Sequence, residues 1–223
     1  MDPIPAPAPA PDNRRARRRA ETIEEILRLA LEIMAEVGAG GLTFAELARR
    51  LGVQPPSLYK YFGSVLAIYD ELFRRGHRDH LEAVRAAMIA ADAGVPAILA
   101  GMRAGGLWAT QHPTVAQLLF WRPVPGFEPS PDAFAPSLTM VDLFRHHLRD
   151  AARSGQIDAD LASEETLGLL SVIAAGVRSQ YLANEPGTPM ARSRYLNLIP
   201  RAVVSVLTPA DQRVAAGGAP RER

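Results

Sequence analysis

The sequence predicts an all-α protein: a three-helix head carrying a helix-turn-helix, followed by a larger helical domain. Three observations carry this expectation. Apolar residues recur at three- and four-residue spacing from Ala20 to Leu207, no alternating strand pattern competes with that 3.6-residue period, and proline and glycine punctuate the segments, as at His112-Pro113 and Glu185-Pro186-Gly187.

The first helix is expected over 20–37, where Ile23, Ile26, Leu27, Ala30, Leu31, Met34 and Val37 form one apolar stripe before Gly38, Gly40 and Gly41 end it. Residues 40–62 then read as two short helices joined by a tight turn. Leu47, Leu51, Val53, Leu58 and Tyr61 fall where two crossed helices share a small core, and Ala48 sits where they touch. Gly52, just beyond the last apolar residue of the first short helix, supplies a left-handed turn. Thr43 is an N-cap and Glu46, three residues on, completes a capping box. Pro55 and Pro56 suit the first turn of the second short helix, where a missing N–H costs nothing.

Further helices are expected over 64–88, 95–111, 114–121, 132–154, 162–184 and 190–207. Residues 122–131 hold four prolines and a glycine and read as a stiff loop. The segment 162–184 is apolar on more than one face and contains Gly168 and Gly176. With 190–207 it either meets the same pair of helices from a second chain in a two-fold interface or belongs to the core of one large bundle.

These elements divide the chain into a head at 20–68 and a larger domain at 69–208, with disordered tails at 1–19, rich in Pro, Ala and Arg, and at 209–223. The 223 residues are 48% hydrophobic, enough for a full core. Net charge is +1, so charge alone announces no nucleic-acid binder, but Arg14, Arg15, Arg17, Arg18 and Arg19 form a dense run just before the first expected helix. With no cysteine among these 223 residues, they form no disulfide and carry no thiolate chemistry. No stretch approaches the roughly 18 apolar residues of a membrane span.

Nothing points to an enzyme. There is no nucleophile motif, no glycine-rich phosphate loop and no pair of carboxylates in an apolar setting. No cofactor or metal is called for either. His146 and His147 are adjacent and point apart on a helix, while His77 and His80 read as a solvated face rather than as zinc ligands.

Gly40-Gly41-Leu42-Thr43, Glu46-Leu47-Ala48-Arg49-Arg50-Leu51-Gly52-Val53 and Ser57-Leu58-Tyr59-Lys60-Tyr61-Phe62 together resemble the TetR family of bacterial transcriptional regulators over about residues 20–72. Farther on, Trp108, His112-Pro113 and Gln117-Leu118-Leu119-Phe120 look like the C-terminal domain of a subset of that family. The resemblance implies an all-helical homodimer acting in the bacterial cytoplasm, nucleoid-associated when bound, with a DNA-binding head and an effector domain that holds a small-molecule pocket. One departure is Val65, where members usually carry a phosphate-binding lysine; the arginine run is placed to compensate.

Such a head implies DNA contacts from Pro55, Pro56, Ser57, Tyr59, Lys60 and Tyr61, with Thr43 and Phe44 at the opposite strand and Arg17, Arg18 and Arg19 on phosphate or in the minor groove. Core packing is the competing role for Tyr61 and Phe62. The pocket would draw its wall from Met102, Trp108, Phe120, Trp121, Phe127, Met140, Phe144 and Tyr181, and its polar anchors from Arg103, His112, His147, Arg178 and Gln180, each of which also reads as ordinary packing. The function expected is a repressor released from a double-stranded, pseudo-palindromic operator by a small-molecule effector. The alternative is a DNA-binding protein that answers to no effector.

Overall fold

The computed structural model describes residues 11–189 and 192–208, with side chains from Arg14 onward. All regular structure in them is helical. Helix α1 (Pro11–Val37) begins nine residues before the expected start, so residues 11–19 are helical where a disordered tail was expected. The cause is local: arginine is a good helix former, proline is tolerated in a first turn, and Arg17 pairs with Glu21 one turn on at 2.9 Å. The tail calls for 1–10 and 209–223 lie outside the described residues.

Glycine at position 38, with φ +84°, ends α1, and helix α2 (Phe44–Leu51) follows. The Thr43 hydroxyl accepts from the Glu46 N–H at 3.2 Å, as a cap should. The expected reciprocal bond is replaced, because the Glu46 carboxylate is taken by Arg49 and Arg50. Gly52 has φ +69°, and its N–H closes on the Arg49 carbonyl. The second short helix of the motif is a single 3₁₀ turn, Pro55–Leu58. Consecutive prolines leave few N–H groups for an α ladder, and the Ser57 N–H bonds back three residues to the Gln54 carbonyl at 2.9 Å.

Helix α3 (Val65–Ile89), capped by Ser64, is the longest packed element, lying against α4 (Val95–Gln111), α5 (Pro113–Trp121) and α6 (Pro131–Arg153). Gly94 offers α4 no side-chain cap, so Gln156 supplies one from the far end of α6, accepting the Val95 N–H at 2.8 Å. Helix α7 (Glu164–Asn184) pairs with α8 (Ile199–Leu207). The last helical stretch starts at Leu196, not at 190, because Ser193 caps it: the Ser193 hydroxyl accepts the Leu196 N–H at 3.1 Å and donates to Glu185. Met190 and Ala191 lie outside the described residues.

Three apolar clusters result, the smallest holding Val84, Met88 and Ala97 between α3 and α4. Of the two larger ones, one joins the head residues Ile26, Ile33, Leu47, Leu58 and Ile68 to Trp108, Leu118 and Phe127 of the larger domain. The other gathers Ile98, Leu148, Leu170 and Val203 around α4, α6, α7 and α8. Tyr69 seals the first by donating its buried hydroxyl to the Ala39 carbonyl, so the boundary expected at 68/69 crosses a continuous core and a continuous helix. No helix among the described residues is long and apolar enough to cross a membrane.

Candidate nucleic-acid interface and buried cavity

The head presents a small surface on a heavily clamped frame. Leu47, Ala48 and Leu58 are buried between α1, α2 and the 3₁₀ turn, and Phe62 joins them as core. Arg50 bridges helices by donating to Glu46 at 2.8 Å and to Glu36 at 2.9 and 2.5 Å. These guanidinium contacts, with those of Arg49, hold the Glu46 carboxyl down to about 2. Arg75 ties α1 to α3 in the same way, reaching Glu24 and Glu71 at 2.6 Å each. The reading surface is thereby fixed relative to α3.

On that surface Tyr59 is 60% exposed, its ring edge-on to half-buried Phe44 at 4.9 Å. Pro56 and Lys60 are exposed, Pro55 and Ser57 half-buried, and Thr43 is exposed beside them. Tyr61 is half-buried under two cations, Arg19 at 5.3 Å and Lys60 at 5.0 Å from its ring. Arg19 also donates to the Lys60 carbonyl at 2.8 Å, which docks the start of α1 onto the end of the 3₁₀ turn. At 3.6 residues per turn, Arg14, Arg18, Arg15 and Arg19 cover an arc of about 140° of the helix. Arg17 lies outside that arc and pairs with Glu21.

The larger domain holds a half-open cavity of about 240 Å³ between α3, α4, α5, α6 and α7. Of the expected wall and anchors it brings together Met102, Phe120, Met140, Phe144 and Arg178. The others lie elsewhere. Trp108 is buried between His80 and His112, each 4.9 Å away, while His112, Arg103 and Gln180 face solvent. Trp121 is 38% exposed, and Phe127 packs on Tyr69 and Phe73 in the head-side core. Tyr181 spends its hydroxyl on the Thr188 carbonyl at 2.9 Å, and half-buried His147 does not reach the cavity.

His77 and His80, expected on a solvated face, are the principal correction. Each is 4% exposed, and their ring nitrogens have no hydrogen-bond partner of ordinary geometry among the described residues. Burial, with Arg178 nearby, pushes His77 down to about 4 and His80 down to about 3, so both are neutral at pH 7. Sequence reasoning missed His80 together with Val84, Gly101, Gly105, Ser137, Val141, Leu167, Leu170, Ser171 and Ala174 of the lining. The signal for His80 was present: Phe73, His77, His80, Val84 and Met88 follow helical spacing on one buried stripe of α3.

No group of three or more His, Cys, Asp or Glu side chains with metal-holding geometry occurs among the described residues. Residues 26–72 match the family model described as bacterial regulatory proteins, tetR family. The head belongs to the TetR family. It is 49% identical over 49 residues to the class C tetracycline repressor of Escherichia coli, a match covering 22% of each chain. A transcriptional regulator of Mycobacterium bovis, of the HTH type, is 32% identical over 124 residues, 54% of this chain and 53% of that one. The chain thus aligns with about a fifth to a half of the length of these relatives. The fold extends further: a tetR-family regulatory protein from Rhodococcus (18% identity, TM-score 0.62) matches over 83% of this chain and 94% of that one. The TetR family regulator PfmR from Thermus thermophilus (19% identity, TM-score 0.60) matches over 82% and 93%.

Proposed function

We propose that the chain is a dimeric transcriptional regulator of the bacterial cytoplasm that binds a pseudo-palindromic operator through its TetR-type heads and releases it when a small molecule fills the cavity. The observation that carries this is the sharing of α3: its first turns hold the reading surface and its later turns, at His80 and Val84, line the cavity. A ligand that prefers one placement of α3 lowers operator affinity by that same preference.

Tyr59 and the proline rings are apolar surfaces for thymine methyls, Ser57 is the base-edge hydrogen bonder, and Lys60 with the arginine face of α1 engages phosphates. Arg19, which reaches the Lys60 carbonyl, and Arg15 one turn before it take the place of the lysine absent at position 65. Two half-sites would lie about one helical turn apart, roughly 34–36 Å. The two-fold contact is assigned to the outer faces of α7 and α8, where Val172 is 68% exposed and Leu169, Leu198 and Val204 are 45–49% exposed.

The effector-independent alternative calls for a filled core in the larger domain. An unfilled, half-open space lined by a half-buried cation favours an effector. The test is operator selection from random duplexes, followed by titration at several salt concentrations. Each phosphate contact removed by K60A or by R15A/R19A should flatten the log–log salt slope by about 0.9. A monomer that binds selected and random duplexes equally would defeat the proposal, and a promoter-reporter assay separates repression from activation.

A further inference from the structure

The cavity carries one full charge and nothing to balance it. The Arg178 guanidinium reaches in from α7, its buried Nε has no hydrogen-bond partner, and no acidic group lies near enough to act on it: burial alone shifts it, down to about 10. It remains a cation at neutral pH. Its one compensation is the face of Phe120, whose ring centre lies 4.1 Å from the guanidinium carbon. Arg178 is half-buried, yet a cation whose inner nitrogen is shielded and unpartnered is costly, and the fold bears that cost where a ligand could relieve it. His80, which also lines the cavity, meets the same Phe120 ring edge-on at 5.4 Å, and in its neutral form it has an N–H to give. The remaining wall, including Val84, Met102, Phe144 and Leu170, is apolar.

We propose that the cavity takes a compact monocarboxylate, its carboxylate paired with Arg178 and accepting a second hydrogen bond from His80, its apolar body against Met102, Phe144 and Leu170. This rests on reading the cavity as the effector site. A cation would be repelled, a neutral hydrocarbon would leave Arg178 unpaired, and a second negative charge would find no second cation. Size narrows the class further: a cavity of about 150 Å³ holds benzene, so the space here fits an aromatic or medium-chain acid but not a nucleotide-bearing thioester.

The experiment uses the full-length chain and calorimetric titration with straight-chain acids of four to ten carbons, phenylacetate and 3-phenylpropionate, each beside its primary amide and its amine. At least one acid should bind, about 10- to 100-fold more tightly than its amide. R178Q should lose that preference while melting no lower than the wild type, since it removes an unpaired, half-buried charge, and R178K should recover part of the affinity. The proposal is overturned if amides or amines bind as well as the acids, if R178Q keeps the preference, or if none of the acids binds. The regulator reading fails separately. An amide or amine that fills the cavity and lowers operator affinity would leave that reading standing and sink the carboxylate, whereas an acid held by Arg178 that leaves operator affinity unchanged would do the reverse.

Discussion

Asp70 and Ser130 form a latch between α3 and the start of α6, and its removal has a calculable consequence. The Asp70 carboxylate accepts the Ser130 N–H at 2.7 Å and the Ser130 hydroxyl at 2.8 Å, while the same hydroxyl accepts the Ala133 N–H and so caps α6. Hydrogen bonds to a charged group contribute about 1.5–3 kcal/mol each when well shielded. Both residues are half-buried, so D70A should cost about 2 kcal/mol for the pair after screening. S130A loses the cap, about 1 kcal/mol, and one of the two bonds. The double variant should therefore be less destabilised than the sum of the singles by about 1 kcal/mol, the signature of a direct contact. Urea unfolding at one fixed protomer concentration measures the cycle, because dimer stability depends on concentration. D70A alone should lower Tm by about 4–8 °C, taking 2–4 °C per kcal/mol for a chain of this size. Additive single effects, or a Tm for D70A within a degree of the wild type, would refute the latch.

Other outcomes follow from the same structure. His77 and His80 are held neutral in the folded state, so the unfolded chain binds more protons below pH 6.5: stability is fully present above 6.5 and falls as pH drops toward 4 and then 3, by up to about 1.4 kcal/mol per pH unit for each ring. Thermal melts between pH 7 and 5 read this slope together with that of His147, which burial also lowers, and free of Glu46, which adds its loss only below its ordinary value of 4.5, on the way to about 2; a flat profile there would contradict the burial of both rings. At Gly76 an added Cβ would stand 2.5 Å from Val115 Cγ1 and 2.9 Å from Leu119 Cδ1, so G76A should push α5 off α3 at about 1–3 kcal/mol, and an unchanged melt would refute that close approach. On the outer face of α7, V172R should yield monomers by light scattering and abolish cooperative operator binding; an intact dimer would move the interface elsewhere.

How legible each part was depended on whether its cause is local. Thr43 and Gly52 act on backbone within a few residues of themselves, and the cap and the turn are where the spacing puts them. The reach of 95–111 was equally plain, since His112-Pro113 stops it. The 3₁₀ turn at Pro55–Leu58 was harder, because prolines acceptable in an α-helix's first turn also deprive a short segment of the bonds that would keep it α-helical. The cavity was only half legible. Met140 and Phe144 face it from one stripe of α6, but size does not fix direction: Trp108 and Tyr181 leave their helices toward other cores, and Phe127 packs from the loop before α6. His77 and His80 were misplaced for the opposite reason: residue type outweighed a buried periodicity that runs through both.

That periodicity bears on how the two halves communicate. Along α3 the head core ends at Leu72 and Phe73 and the cavity begins at His80, a separation of about 12 Å at 1.5 Å per residue, with no proline or change of helix type between. The glycine in that interval, Gly76, is buried against α5, so close packing rather than flexibility explains it. A helix so braced does not bend at its middle at low cost. The braces divide unevenly: Arg75 with Glu24 and Glu71 binds α3 to the head, while Asp70 with Ser130 binds it to α6, which contributes Met140 and Phe144 to the cavity wall. Displacement of α6 by an occupant would therefore act on α3 as a whole and carry α1 and the reading surface with it. On the proposed function, rotation of each head would follow from rigid attachment, its size set by how far α6 moves at Ser130 rather than by any local change around Tyr59.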